Sequence, residues 1–161
     1  MNRKPRILIF DDDQNILKFL EHLFRDRGCD VIPYEYPELC PLQKSHDCPC
    51  RENELCADIM ITDVDMFRIS GLDFIENLME KGCTISNIGI MSGLWSPDKR
   101  NRAQSLGCAV FDKPFNLPAL LEWVDKCVER IDQQKVLADW FLCSGCNHTN
   151  TGEQQVRYNS N

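Results

Sequence analysis

The chain has 161 residues, 43% of them apolar, which is enough for one decorated domain that buries a core without disulfide staples. A formal charge of -7 argues against nucleic acid as the main partner, because phosphate backbones demand a basic face. No apolar run approaches the roughly 20 residues of a membrane span, and the run behind Arg3, Lys4 and Arg6 is only Ile7–Phe10 before aspartates begin, so a secretory signal is excluded and a cytoplasmic protein with reduced thiols is expected.

RILIF (6–10) is a short continuous apolar run, the pattern of a strand buried on both faces, and it ends in Asp11-Asp12-Asp13. Ile16, Leu20, Leu23 and Phe24 then form the stripe of an amphipathic helix that Gly28 stops. Asp30–Tyr34 is a weaker strand. IMIT (59–62) is another buried strand, ending at Asp63. Gly71 opens a helix with Leu72, Ile75, Leu78 and Met79 on one face, and Gly82 closes it. IGIM (88–91) reads as a strand ending at Ser92-Gly93, and Pro97 begins a helix that runs to about Leu106. AVF (109–111) is a short strand before Asp112-Lys113-Pro114, and Leu120, Leu121, Val124, Val128 and Ile131 mark the last helix. VLADWFLC (136–143) is compatible with a continued helix, and Asn147–Asn161 reads as a disordered polar tail. Strands alternating with helices imply an α/β fold with a parallel sheet and right-handed crossovers.

Ligands of such sheets bind at the carboxyl ends of the strands. Those ends carry Asp11, Asp12 and Asp13; Asp63; Ser92; and Lys113. Each has an ordinary explanation alone, since aspartates leaving strands cap helices. Converging, they make a site for phosphoryl transfer. Crowded carboxylates suit Mg²⁺, and Asp63 beside such a cation is a nucleophile toward phosphorus. Lys113 and Ser92 can hold the phosphoryl oxygens, and Gly93 leaves space beside them.

ILIFDDD, DIMITDVDMFRISGLDFIENL, IGIMSG and FDKPF together resemble the receiver domain of bacterial response regulators, over roughly residues 5–131. The resemblance implies a doubly wound, flavodoxin-like five-stranded parallel sheet of order 2-1-3-4-5, with helices on both faces. It implies a phospho-accepting, non-enzymatic signalling protein that takes a phosphoryl group from a histidine kinase or phosphotransfer protein onto Asp63. The Mg²⁺ ligands would be Asp11, Asp12, Asp63 and the main-chain carbonyl of Asp65. Ser92 would be the switch hydroxyl, with Gly93 beside it, and Lys113 the phosphate lysine before a Pro114 the family usually holds in cis. Three positions depart from the family: Phe67 replaces a usual proline, Ser70 a common aspartate, and Val110 the aromatic residue that swings inward on activation. Phe111 is no substitute, because successive strand residues face opposite sides. The Asp65 carboxylate either orients hydrolytic water, repels it, or is a solvated loop group.

Two other functions fit parts of the chain. Asp63-Val64-Asp65 matches the D-x-D of haloacid-dehalogenase-type phosphatases, although the acidic cluster here precedes it. A binding module that is never phosphorylated and makes contacts through its cysteines is the other. Residues 132–161 are too few for an effector domain, so output through protein contacts with an unknown target is expected, without nucleic acid or membrane. Trp140 and Phe141 are most simply packing groups, and Cys143, Cys146 and His148 form half a metal or redox site at most.

Of ten cysteines, four fall in residues 40–56 inside an insert of about 37–58, where the family has its second helix. Pro37, Pro41 and Pro49 preclude a regular long helix there. Cys40, Cys48, Cys50 and Cys56 could close a structural Zn²⁺ site, with His46 able to replace one thiolate. An unliganded or disulfide-linked loop is the next reading and an iron–sulfur cluster the last. Cys29, Cys83, Cys108 and Cys127 are read as scattered thiols.

Overall fold

Strand β1 (Arg6–Phe10) is buried at every position, as its unbroken apolar run requires. Helix α1 (Gln14–Asp26) starts where the Asp13 carboxylate caps the amides of Asn15 and Ile16, and it ends before Gly28, whose φ of 85° suits glycine. β2 (Asp30–Tyr34) follows. The structure, a computed structural model, describes residues 2–141.

The insert after β2 is broken as its prolines dictate. It holds a single 3₁₀ turn (Pro37–Leu39), a four-residue helix α2 (Pro41–Lys44) and a two-residue strand β3 (Glu54–Leu55). Beyond it come β4 (Ile59–Asp63), α3 (Gly71–Glu80), β5 (Asn87–Ser92), α4 (Pro97–Ser105), β6 (Ala109–Asp112) and α5 (Leu117–Glu129). The chain then forms β7 (Val136–Leu137) and a 3₁₀ turn at Asp139–Phe141. Residues 136–141 are therefore not the continued helix that their pattern allowed.

The central sheet has the order β2-β1-β4-β5-β6, with every pairing parallel. Counting its five strands alone gives 2-1-3-4-5, the flavodoxin-like order. Alternate strand residues feed two cores. Ile7, Ile9, Ile59, Ile61 and Met91 meet Leu17, Leu20 and Phe24 of α1 and Leu120, Val124 and Cys127 of α5. Leu8, Phe10, Met60 and Ile90 meet Leu72, Ile75 and Leu78 of α3 and, in place of a long second helix, Cys40, Leu42, Cys48, Cys50 and Cys56 of the insert.

The C-terminal segment docks on this insert. β7 pairs in parallel with β3, Phe141 is buried, and Trp140 packs against the same core. Two arginines at the amino-terminal edge of the sheet fix the arrangement. Arg3 makes a forked pair of bonds to Asp58 at 2.7 and 2.8 Å, and Asp58 also accepts the Arg6 amide at 2.8 Å. The Arg6 guanidinium donates to the carbonyls of Ala138 (2.7 Å) and Cys56 (3.3 Å), pairs with Asp30, and lies over the Phe141 ring.

Candidate functional site at the strand ends

β1 and β4 are neighbours, so the residues that leave them are brought together above the sheet. Asp11 is fully buried, and its carboxylate accepts the Asp13 amide at 2.9 Å. Asp12 stands beside it and is more open to solvent. Asp13 is committed to capping α1 and is not part of the group. Carboxylate oxygens of Asp11, Asp12 and Asp63 lie within 4.8 Å of one another. That donor set of hard oxygens, partly open to water, fits Mg²⁺, which takes few protein ligands and keeps several waters.

Asp63 ends β4 opposite Met91 of β5, and the turn after it folds back tightly. The amides of Val64 and Gly71 donate to the carbonyls of Met91 and Val64 at 2.8 and 2.9 Å. A Cβ on Gly71 would stand 2.1 Å from the Asp63 carbonyl oxygen, so only glycine lets α3 begin here.

Lys113 reaches the acids from the end of β6. Its amide donates to the Ser92 carbonyl at 2.9 Å, and the Lys113–Pro114 peptide is cis. Its Nζ lies 2.7 Å from Asp11 Oδ2 and 3.1 Å from Asp63 Oδ1. Burial pushes the Asp63 carboxyl up to about 6; the Lys113 ammonium opposes this, and Asp11 and Asp12 reinforce it. Asp11 is raised as well, by burial above all, against the pull of Lys113. Burial works to lower Lys113, but its contacts with Asp11 and Asp63 outweigh that and hold it above the usual lysine value.

Ser92 is buried at the end of β5, and its hydroxyl donates to Asp65 Oδ2 at 2.8 Å and accepts the Leu94 amide at 3.0 Å. The other Asp65 oxygen pairs with Lys99 of α4 at 2.8 Å. Burial pushes the Asp65 carboxyl up, yet hydrogen bonds from Lys99 and Ser92 prevail and keep it below the ordinary range. The Asp65 carboxylate thus bridges the Ser92 hydroxyl to α4. Lys99, the far end of that bridge, carries no sequence signal beyond its place in the first turn of α4. Gly93 is exposed, with open space where a Cβ would stand.

A profile of the response regulator receiver domain matches residues 7–125. The chain belongs to that family. Similar solved structures include the receiver domain of Francisella response regulator 1452, at 20% identity and a TM-score of 0.65, covering 79% of this chain and 98% of that one. A response regulator receiver protein from Pseudomonas putida is 26% identical with a TM-score of 0.62, over 78% of this chain and 99% of the other. The chemotaxis protein CheY4 of Vibrio cholerae is 23% identical, also with a TM-score of 0.62, over 78% and 99% of the two chains. No curated protein matches the chain.

In this receiver, Val110 sits on the core side shared with α3 and the insert, whereas Phe111 turns to the other side and packs edge-on against Trp123 at 5.4 Å. The neighbouring aromatic group on the first side is Trp95, whose indole N–H donates to the Phe111 carbonyl at 3.1 Å beneath the Arg100 guanidinium.

The insert departs from its expected arrangement. Cys48, Cys50 and Cys56 do come together, but Cys40 is not with them; its thiol is buried apart, and that burial pushes it up to about 12. The fourth sulfur is that of Cys83, a residue that by sequence position reads as a scattered thiol. It lies in the α3–β5 connection, just past the turn at Gly82. No feature of the sequence ties Cys83 to the insert, because the partners are 27 to 35 positions apart. His46 is not in the group, and Cys143, Cys146 and His148 lie outside the described residues.

Proposed function

We propose that this receiver accepts a phosphoryl group on Asp63 from a phosphohistidine of a histidine kinase or phosphotransfer protein, and signals in the cytoplasm through contacts with another protein. The observation that carries this reading is Lys113 bridging the buried Asp11 and the acceptor Asp63, in a cleft that Ser92 closes from a third strand. Asp11, Asp12 and Asp63, with the Asp65 main-chain carbonyl, would hold Mg²⁺, which when bound supplies positive charge against the phosphoryl oxygens.

An Asp63 carboxylate oxygen forms the new bond to phosphorus as the P–N bond breaks, and the imidazole leaves with the electron pair and takes a proton from solvent. Lys113 is placed to balance charge on the transferred group. For the Ser92 hydroxyl to reach a phosphoryl oxygen it must release Asp65, and the incoming negative charge repels that carboxylate. The Asp65–Lys99 pair then carries the change to the start of α4. This route serves as output where Val110 replaces the usual aromatic switch.

The phosphatase reading needs Asp65 to act as a proton donor to a leaving group. A carboxyl held below the ordinary range by Lys99 and Ser92 is a poor acid for that task. Mass spectrometry after incubation with a small phosphodonor and Mg²⁺ tests the proposal. Wild type gains one phosphoryl group and Asp63→Asn gains none. A wild type that stays unmodified would leave the binding module as the function.

A further inference from the structure

We propose that Cys48, Cys50, Cys56 and Cys83 form a closed structural Zn²⁺ site that fastens the insert to the α3–β5 connection. The four sulfurs lie within 4.8 Å of one another and come from three separate stretches of chain. Cys48 and Cys50 are 3.5 Å apart, and Cys56 and Cys83 are 3.7 Å apart. Zn–S bonds of about 2.3 Å place tetrahedral thiolates roughly 3.8 Å from each other, so one ion fits at the centre with little movement. These separations are far from the ~2.05 Å of a disulfide. The four thiolates of an iron–sulfur cluster are divided among two or four irons and must spread wider than four ligands of a single ion.

The surroundings favour thiolates over four thiols merely packed as small apolar groups. The Cys56 amide donates to the Cys50 sulfur at 3.4 Å. Amide donors aimed at ligand sulfurs are the support that tetrathiolate metals require. Four thiolates around a dication leave a net charge of two minus, and Arg51 brings a cation to the turn that carries two of them. Arg51 donates to the carbonyls of Cys48 and Cys50, and Lys81 donates to those of Leu42 and Gln43. The Cys48 amide bonds in turn to the Lys81 carbonyl at 2.9 Å. With Cys48, Cys50 and Cys56 buried, no coordination position is left for water or substrate, so the ion is structural. Binding it sends the thiol protons to solvent and involves no change of oxidation state.

The deciding experiment is metal analysis of the full chain, purified reduced and without a metal-affinity column, together with Cys83→Ser and Cys40→Ala. Wild type and Cys40→Ala should carry about one zinc per chain, and Cys83→Ser should lose zinc to a chelator at least tenfold more readily. Should Cys83→Ser fold poorly, Co²⁺ replacing zinc in wild type should give intense tetrahedral bands and thiolate-to-metal charge transfer for four sulfurs. A double Cys143→Ser, Cys146→Ser variant should keep its zinc. The proposal falls if wild type holds less than half an equivalent, if iron is found instead, or if Cys40→Ala or the double variant loses the metal while Cys83→Ser keeps it.

Discussion

Removing the Asp63 charge should make the metal-free protein more stable. Asp63 has a carboxyl raised from 3.8 to about 6 in the fold, chiefly by burial. The folded state therefore binds the proton more tightly than the unfolded chain does. The ionised group costs stability above pH ~6, and that cost fades as the pH falls from about 6 toward about 4. A shift of about two pH units corresponds to about 3 kcal/mol. Solvent at the mouth of the cleft screens part of this, leaving about 2 kcal/mol. For a domain of this size, that is roughly 6 °C in Tm. Thermal unfolding of wild type and Asp63→Asn in EDTA should show the variant higher by that margin at pH 7.5, and the gap should shrink at pH 5. Mg²⁺ should raise the wild type more than the variant, narrowing the gap at pH 7.5. Equal Tm values in EDTA at pH 7.5, or a gap indifferent to pH, would refute the account of crowded carboxylates.

Lys113→Met leaves Asp11 and Asp63 without their cation and should lower stability by about 3 kcal/mol in urea titrations at neutral pH, with partial recovery in Mg²⁺. Gly71→Ala forces a methyl group against the Asp63 carbonyl; a loss of at least about 3 kcal/mol is expected, along with slowed phosphorylation from a small phosphodonor. Lys99→Ala should move the Asp65 carboxyl back up toward the ordinary range, visible as a later midpoint in a carbon NMR titration. Asp58→Ala strips Arg3 and the Arg6 amide of their buried acceptor, and a loss of about 3 kcal/mol of unfolding free energy, read as an earlier urea midpoint, should follow.

The sheet and the acidic cleft were legible because their signals are local. Apolar runs such as RILIF and IMIT mark strands buried on both faces, and the polar residues that stop them land at one end of a parallel sheet by topology alone. Convergence of Asp11, Asp63, Ser92 and Lys113 then needs no pairwise information. The bridge from Ser92 through Asp65 to Lys99 was hidden, because a carboxylate two residues past Asp63 has several partners open to it and only packing selects among them. Cys83 was hidden for a related reason. Its sulfur is brought to the insert by where α3 ends and how the chain turns at Gly82, which hydrophobic period does not encode. β3 and β7 are two residues each, too short for any alternation to register.

The Arg6 guanidinium has a bearing on where this protein can be divided. Its family ends near the last helix, and a cut after Ile131 would look harmless by homology. Such a cut would take away the Ala138 carbonyl and the Phe141 ring, leaving a buried cation short of an acceptor and a core face bare. A stable fragment of this molecule should therefore reach at least to Phe141, past the stretch that its family profile covers.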